Sequence, residues 1–417
     1  MEKNIDSYSD HKNLNLQVAL LTDECLPEGT RVHSKMFHEL AVELDKRGLS
    51  PVVITPGNSN QKKALEISHF EGIEIWRFRS AKTRGVGKIR RTINEWALSY
   101  RAWIATKDIL NNRSFDLCIN YSPTIFFGSF AKRLKKRGAF VYLVLRDIFP
   151  QWAIDEGLIT ENSVVTKFFK YYEHLNYQIS DCIALQSKAN LKYFKETNSQ
   201  YSNCKVLMNW AALKPKEINP NGFSIRKKLR LENKIIFFYG GNMGKAQDMD
   251  NLLRLAKKLK DDKNIHFLFV GEGDEFNLVK DKKNEWNLDN LTLKTSVSQN
   301  KFKEILCDVD IGLFSLSFKH SAHNFPGKLL GYMVQSIPIL GSVNPGNDLQ
   351  NLIKDSSSGI VQINGDDDLL AESALKLAYS ESLRLEMGAN ARNLLNKMFS
   401  VESITDQILE EFYFSKN

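Results

Sequence analysis

The sequence has few cysteines and no long hydrophobic run. Its five cysteines are scattered, odd in number and never spaced as C-x-x-C, which argues against both a disulfide framework and a structural zinc site. No apolar stretch is long enough to span a bilayer, and the polar start MEKNIDSYSDHKNLN lacks the apolar core of a signal peptide. We therefore expect a protein of the reducing cytoplasm, either soluble or peripheral to a membrane.

Acidic residues are also missing where they would matter most. The stretch SAHNFPGKLLGYMVQSIPILG, residues 321–341, contains no Asp or Glu. Its Asn324, Phe325 and Lys328 belong to a loop that closes onto the first turn of a predicted helix, an arrangement that suits a phosphate. Any acid–base groups of an active site must therefore lie elsewhere in the chain.

Basic residues are in excess, with a formal net charge of +8 and a pI of about 9.0. No nucleic-acid-binding motif accompanies the charge, so we expect no nucleic-acid partner. In residues 84–107 six basic side chains surround Trp96, Tyr100 and Trp103, which have the spacing of one helix face. This pattern is typical of a helix on an anionic membrane surface. Packing of the three aromatic rings into the core is the alternative, and the sequence leaves both open.

Short apolar runs alternate with helical patterns in both halves of the chain, which indicates parallel sheets covered by helices. The candidate strands of a first domain are 16–22, 51–55, 116–120, 140–145 and 182–186. After a segment rich in Pro, Asn and Lys (213–224), further candidates follow at 234–240, 265–271, 291–294, 309–314, 337–341 and 359–362. The pattern predicts two doubly wound α/β domains, with ligands at the carboxyl ends of the strands.

A glycine-rich loop, FYGGNMGKAQ, follows the strand that opens the second domain. Its spacing is not the G-x-G-x-x-G of a dinucleotide cofactor site. Gly241 and Gly244 would let the backbone approach an anion, while Asn242 adds hydrogen-bond donors and Lys245 adds charge. We favour an anion site over an empty glycine turn.

Two further strand ends of the second domain carry weaker signals. VGEGDE (270–275) contains Gly271 and Glu272, and TSV (295–297) contains Ser296 and Val297. These residues are candidates for contacts to a base or a ribose, although most strand-end turns bind nothing.

The first domain offers two other candidate groups. A loop with Gly29 enters a long helix whose first residues include Arg31 and His33, which could assist an anion. Arg146 and Asp147 come directly after a buried strand. Opposite charges at the end of an apolar run either neutralise each other or serve a site, and we favour the site.

The order of these motifs, from Leu14 onward, resembles the glycosyltransferase family 4 enzymes, which have the GT-B fold. Within them it is most similar to the bacterial O-antigen and capsule sugar transferases of the WbuB (L-fucosamine transferase) type. The resemblance is most specific at FYGGNMGKAQ, FVGEGDE, NFPGKLLGYMVQSIPIL and residues 388–409. It implies an acceptor-binding domain over 14–213, a nucleotide-sugar-binding domain over 225–395 and a terminal helix over 396–417 that crosses back to the first domain.

The resemblance also implies a reaction. A sugar, an N-acetylated hexosamine or a 6-deoxyhexosamine, would pass from a nucleotide diphosphate donor such as a UDP-sugar to a lipid-linked (polyprenyl diphosphate) saccharide at the inner face of the cytoplasmic membrane. Transfer would retain the anomeric configuration and would need no metal or cofactor. The donor-binding residues implied are Gly29, Gly241, Asn242, Gly244, Lys245, Gly271, Glu272, Ser296, Val297, Asn324, Phe325 and Lys328.

The sequence departs from the family pattern at the sites of two glutamates. His323 stands where the first would meet the donor sugar, and Gly331 where the second would meet the ribose. A histidine of the first domain is likewise replaced by Arg146, beside Asp147. Asp147, His323 and Arg146 are therefore the catalytic candidates, with Asp147 or His323 as base. A nucleotide-sugar epimerase and a catalytically silent nucleotide-sugar binder stay open as alternatives.

Overall fold

A computed structural model describes residues 16–29, 31–83, 85–122, 124–155, 157, 159–215, 223–319 and 325–416; at 152 and 155 only the backbone is described. These residues form two compact units. The first contains the described residues as far as Gln186, Leu191–Met208 and the residues from Ile404 onward. The second contains Ser187–Asn190 and the described residues from Asn209 to Ser403. The domain limits predicted from the sequence, 213, 225 and 396, stay predictions.

The first unit is built on one eight-stranded sheet. Its strands are β1 (Gln17–Leu21), β2 (Ser50–Pro56), β3 (Leu65–Phe70), β4 (Ile73–Phe78), β5 (Leu117–Ser122), β6 (Phe140–Leu145), β7 (Cys182–Leu185) and β8 (Cys204–Val206). The order is β3-β4-β2-β1-β5-β6-β7-β8, parallel except for the β3–β4 hairpin. Chain order reverses between β1 and β5, and the carboxyl ends of these two strands therefore form a switch point, the place where open α/β sheets commonly bind ligands.

Helices cover the first sheet. They are α1 (Val32–Lys46), α2 (Lys88–Trp96), α3 (Leu98–Leu110), α4 (Gly128–Lys135), α5 (Gln151–Asp155), α6 (Val164–Ile179) and α7 (Lys188–Thr197), with a 3₁₀ turn at Ile125–Phe127. Every residue of β5 and β6 is buried, as expected for parallel strands covered on both faces. On one face, α3, α4 and α6 supply Ala102, Phe130 and Leu175 to a core that also holds Trp76 of β4.

The second unit contains a fully parallel six-stranded sheet. Its strands are β9 (Ile235–Asn242), β10 (Ile265–Glu272), β11 (Leu291–Lys294), β12 (Ile311–Ser315), β13 (Ile339–Val343) and β14 (Gly359–Ile363), in the order β11-β10-β9-β12-β13-β14. Here chain order reverses between β9 and β12, which gives this sheet its own switch point. The prediction of two doubly wound sheets is therefore confirmed.

The remaining helices are α8 (Ile225–Leu229), α9 (Met249–Lys258), α10 (Phe276–Glu285), α11 (Gln299–Leu306), α12 (Lys328–Val334), α13 (Asp348–Asp355), α14 (Asp367–Ala378), α15 (Glu381–Leu394) and α16 (Val401–Phe414). A 3₁₀ turn lies at Lys245–Gln247 and a π turn at Leu395–Phe399. Tyr332 seats α12 against the switch point, because its hydroxyl lies 3.1 Å from the carbonyl of Phe238 on β9 and 3.0 Å from that of Leu313 on β12. A Cβ at Gly312 would meet the Tyr332 ring at 2.3 Å. This packing holds α12 against β9 and β12.

The prediction that Trp96, Tyr100 and Trp103 share one helix face is wrong. Trp96 ends α2, whereas Tyr100 and Trp103 lie on α3. Trp103 packs against the core of the first unit and carries the Arg133 guanidinium over its ring at 4.6 Å. The two helices differ because α3 buries Leu98 and Ala102, while α2 buries none of its residues. Among the helices that the structure describes, none has the length and apolar character to cross a bilayer.

Candidate active site

Two glycines meet at the carboxyl ends of β9 and β10. Gly241 has a φ of +126°, a conformation that disfavours any side chain. A Cβ at Gly271, its neighbour across the ladder, would lie only 1.8 Å from the Gly241 carbonyl oxygen. Because neither position accepts a side chain, this end of the sheet presents bare backbone to which a ligand could come close.

Lys328, the first residue of α12, lies beside this glycine edge. Its Cε would be 3.6 Å from a Cβ at Gly241, and its amine lies 3.5 Å from the centroid of the buried Tyr239 ring. The residue keeps some exposure, but its amine is enclosed, and burial lowers the pKa of Lys328 well below its usual range. Among the residues that the structure describes, no carboxylate lies within 4.0 Å of this amine. Lys328 therefore lies beside the glycine loop after β9, and its predicted contact with a donor phosphate stays a prediction.

The turn after β9 is held by its own amide groups. The Asn242 side chain donates to the Gln247 side-chain oxygen at 2.7 Å, and the backbone N–H of Gly244 lies 3.2 Å from the same oxygen. A Cβ at Gly244 would meet the Asn242 amide at 2.7 Å. Lys245 is exposed at the start of the 3₁₀ turn. The turn thus brings Lys245 to the surface beside the glycine edge, while Asn242 helps to shape the turn.

The ends of β10 and β11 meet through side chains. The Ser296 hydroxyl donates to the Glu272 carboxylate at 2.8 Å, and both residues are exposed, as is the neighbouring Val297. The structure therefore brings together the residues predicted to contact a base or a ribose. Their contact with a ligand stays a prediction.

The loop before α12 is described only from Phe325 onward. His323 and Asn324, two of the predicted site residues, lie outside the described residues. The Phe325 ring is buried and stacks on Phe399 at a centroid distance of 4.6 Å. Because Gly327 caps the helix, Pro326 precedes the first turn rather than forming part of it. Any donor contact of Phe325 would therefore involve its backbone.

In the first unit, Arg146 follows β6 and is buried. Its guanidinium donates to the carbonyl oxygens of Leu207 and Met208, the latter at 3.1 Å, and burial lowers its pKa to about 10. Asp147, the next residue, keeps solvent access, but the surrounding protein raises its pKa against the opposing effect of Arg146. Arg146 thus joins the end of β6 to the segment at residues 207 and 208. Asp147 is the residue of the pair that offers a solvent-accessible carboxyl group.

The sequence analysis missed a partner of His33. Asp23, which follows β1, places one carboxylate oxygen 3.0 Å from Nε2 of the His33 ring, at the start of α1. Its other oxygen lies 4.0 Å from the Arg31 guanidinium, and the His33 ring packs on Tyr121 of β5 with centroids 5.0 Å apart. His33 and Arg31 also act on the pKa of Asp147. The position of Asp23 after the first strand could have marked it as a candidate site residue, but the sequence does not show that it pairs with His33.

Gly29 is explained by packing in the loop before α1. Its backbone N–H donates to the carbonyl of Cys25 at 2.8 Å. A Cβ at Gly29 would lie 2.5 Å from the Ser34 hydroxyl and 2.7 Å from the Cys25 carbonyl. The loop therefore requires glycine here whether or not a donor binds, and the predicted donor contact is not needed to explain it.

Residues 222–394 match the family described as glycosyl transferases group 1. No curated protein matches the chain. Among solved structures, a sucrose-phosphate synthase from Thermosynechococcus elongatus is similar over 96% of this chain and 100% of its own, with 13% identity and a TM-score of 0.72. WaaG, a glycosyltransferase involved in lipopolysaccharide biosynthesis, is similar over 94% and 99%, with 14% identity and a TM-score of 0.65. HepE of Anabaena in complex with UDP-glucose is similar over 96% and 100%, with 13% identity and a TM-score of 0.67.

At such low identities the solved structures establish the fold alone, which is GT-B. The match over 222–394 adds the activity, because it covers most of the second unit, including the glycine edge and Lys328. The chain is therefore a glycosyltransferase, as the sequence analysis predicted. Neither comparison reaches the finer prediction of a WbuB-type sugar specificity.

Proposed function

We propose that this glycosyltransferase transfers an N-acetylated hexosamine or a 6-deoxyhexosamine from a UDP-sugar to a lipid-linked saccharide. The reaction would serve the synthesis of an O-antigen or capsule polysaccharide at the inner face of the cytoplasmic membrane. Two similar structures favour these substrates: HepE was solved with UDP-glucose, and WaaG acts in lipopolysaccharide biosynthesis. The WbuB-type resemblance of the sequence supports the choice of sugar.

The enclosed amine of Lys328 beside Gly241 is the observation that carries this proposal. When the bond between the anomeric carbon and the donor oxygen breaks, negative charge develops on the departing diphosphate. A fixed cation stabilises that charge more strongly in an enclosed site than in water. Because burial lowers the pKa of Lys328, a bound diphosphate would draw a proton onto the amine and create the ion pair when the donor arrives.

The acceptor hydroxyl must lose a proton as the new bond forms. We assign this proton to Asp147 or to an oxygen of the departing diphosphate. The raised pKa of Asp147 makes its carboxylate a stronger proton acceptor than an ordinary Asp. Arg146 would hold the chain in place, and His323 is proposed to contact the donor sugar. We propose that transfer retains the anomeric configuration and requires no metal, so that activity should persist in a chelator.

Two measurements test the proposal. A thermal-shift series with UDP, GDP, CDP and TDP, and with their sugars, should show the largest stabilisation with UDP and UDP-sugars. Release of UDP should then accelerate when a lipid-linked saccharide is added, and NMR of the product should show retained anomeric configuration. Epimerised nucleotide sugar without acceptor would establish an epimerase, and binding without release would establish a silent binder. Either result would overturn the proposed transfer.

A further inference from the structure

Helix α2 is exposed to an unusual degree. It has nine residues, none of them buried, and Ile89, Ile93 and Trp96 are 80%, 56% and 50% exposed. Their spacing of i, i+4 and i+7 places them on one face. Isolated helices of fewer than about 12 residues are marginal in water. An apolar stripe on such a short helix indicates a surface that another phase or partner covers.

The outer face of α6 continues this stripe. Val164, at its first turn, is 83% exposed, and Val165, Phe168 and Tyr171 are exposed as well. The two helices are joined at Tyr172, because the Trp96 indole N–H donates to the Tyr172 hydroxyl at 2.6 Å. The rings of Phe168 and Tyr171 each lie 5.1 Å from the ring of Tyr172. We name the joined exposed face the α2–α6 surface; it consists of Ile89, Ile93, Trp96, Val164, Val165, Phe168 and Tyr171.

Basic residues border the α2–α6 surface. They are Lys88, Arg90 and Arg91 on α2 and Lys167 and Lys170 on α6. Acidic groups are fewer: Glu95 is paired with Arg91 at 2.7 Å, Glu173 is buried against Tyr177, and Glu161 precedes α6. The surface therefore combines exposed apolar side chains with net positive charge.

We infer that the α2–α6 surface docks the protein onto an anionic membrane, with the apolar side chains at the acyl boundary and the basic residues among the headgroups. Each basic residue near an anionic lipid surface adds to binding, and apolar side chains add burial. A second copy is a poorer occupant, because two such surfaces face to face would bring like charges together. The inference rests on the proposed function only for the lipid-linked acceptor.

Vesicle co-sedimentation of the full chain tests the inference without donor or acceptor. Wild type should bind vesicles of phosphatidylglycerol and phosphatidylcholine, and should not bind phosphatidylcholine alone. Lys88→Ser with Arg90→Ser and Lys167→Ser should weaken binding about 10²-fold. The double variants Ile89→Ser with Ile93→Ser, and Val164→Ser with Val165→Ser, should each weaken it about tenfold or more. Because the apolar side chains are exposed, thermal melting should be nearly unchanged in both double variants.

Matched controls come from the second unit. Two control variants remove the same kinds of exposed side chain from that unit. One combines Lys260→Ser, Lys354→Ser and Lys376→Ser, and the other combines Leu369→Ser and Leu385→Ser. These variants should bind vesicles as wild type does. The inference is overturned if wild type ignores anionic vesicles, if the controls weaken binding as much as the surface variants, or if the surface variants dissolve a dimer instead.

Transfer to a short-chain, water-soluble acceptor separates this inference from the proposed function. The surface variants should keep their wild-type rate with that acceptor and lose rate only with acceptor embedded in anionic vesicles. If the variants lose vesicle binding and no form of the protein transfers sugar, the transferase proposal is refuted and the docking surface stands. If wild type transfers sugar normally but does not bind vesicles, the docking surface is refuted and the transferase proposal stands.

Discussion

The carboxyl edges of the two sheets carry different chemistry. In the second unit the edge is bare backbone at Gly241 and Gly271 with the enclosed amine of Lys328. In the first unit the edge carries side chains of both signs, including the Asp23–His33 pair and Asp147. One edge is suited to an anion, and the other offers groups that exchange protons.

In the proposed function, this difference would correspond to the two halves of a glycosyl transfer. A diphosphate leaving group is already a stable anion, so it needs charge neutralisation rather than an acid, whereas the acceptor hydroxyl must give up a proton. The absence of Asp and Glu from residues 321–341 is therefore compatible with catalysis. In the proposed transfer, Asp147 of the first unit would supply the acid–base group that this stretch lacks.

The largest expected effect comes from removing the cation of the glycine edge. Lys328→Met should lower kcat/KM about 10²- to 10³-fold, because one stabiliser of transition-state charge is lost. The same variant should melt at a higher temperature near neutral pH. With its pKa lowered in the folded protein, Lys328 binds fewer protons there than in the unfolded chain, so wild-type stability rises with pH between the lowered pKa and the ordinary value of 10.5. Lys328→Met should remove this rise.

Lys354 provides the control, since it is an exposed lysine of the same unit. Lys354→Met should change neither the rate nor the pH dependence of melting. Steady-state rates with a UDP-sugar and thermal melting at several pH values measure both effects. An unchanged rate in Lys328→Met would refute the assignment of the diphosphate to this edge.

Asp147→Asn should produce the second largest loss, about 10²-fold in kcat, since it would remove the proposed general base. In wild type, kcat should fall as the pH drops through the pKa of Asp147 and the carboxyl group becomes protonated. Because the surrounding protein raises this pKa, the fall should come at a higher pH than for an ordinary Asp. The pH–rate profile of Asp147→Asn should lack this fall, and the exposed Asp108→Asn should keep it. A profile unchanged by Asp147→Asn would assign the proton to the diphosphate.

The strands were predictable where burial is uniform. The apolar run at 140–145 coincides with β6, because both faces of that strand are covered and every side chain is apolar. The edge hairpin of β3 and β4 was missed. β3 is largely exposed, and its LEISHF carries polar side chains on its outer face. An edge strand gives a weak sequence signal for this reason.

The site was predictable only in part. Glycines such as Gly271 and the cation Lys328 could be identified because their residue types and places after strands are themselves informative. The Asp23–His33 pair could not, because it joins a strand end to a helix start and depends on how α1 packs on the sheet. The α2–α6 surface was predicted only in part: residues 84–107 indicated a membrane-facing helix, but the share of α6 was missed because the two helices are distant in sequence.

Asp23→Asn should have a smaller effect, about tenfold, and should raise the KM for the acceptor more than it lowers kcat. The Asp23 carboxylate lies 3.0 Å from the His33 ring within the first unit, so donor affinity, which we assign to the second unit, should stay as in wild type. Isothermal titration with UDP and steady-state kinetics with varied acceptor separate the two quantities. His33→Gln should behave in the same way. A loss of UDP affinity in either variant would contradict the division of roles between the two edges.

The smallest expected effect, about threefold in kcat/KM, concerns Lys245→Ala. Lys245 is exposed and Lys328 is enclosed, so water and salt screen the first cation far more than the second. Raising the ionic strength to about 1 M, where the Debye length falls to about 3 Å, should abolish the difference between wild type and Lys245→Ala. The deficit of Lys328→Met should persist in the same buffer, because protein rather than electrolyte surrounds its amine. The measurement is kcat/KM of both variants across a salt series. Equal salt sensitivity would mean that solvent reaches the amine of Lys328 as it reaches that of Lys245, and it would contradict the contrast between an enclosed donor edge and an exposed turn.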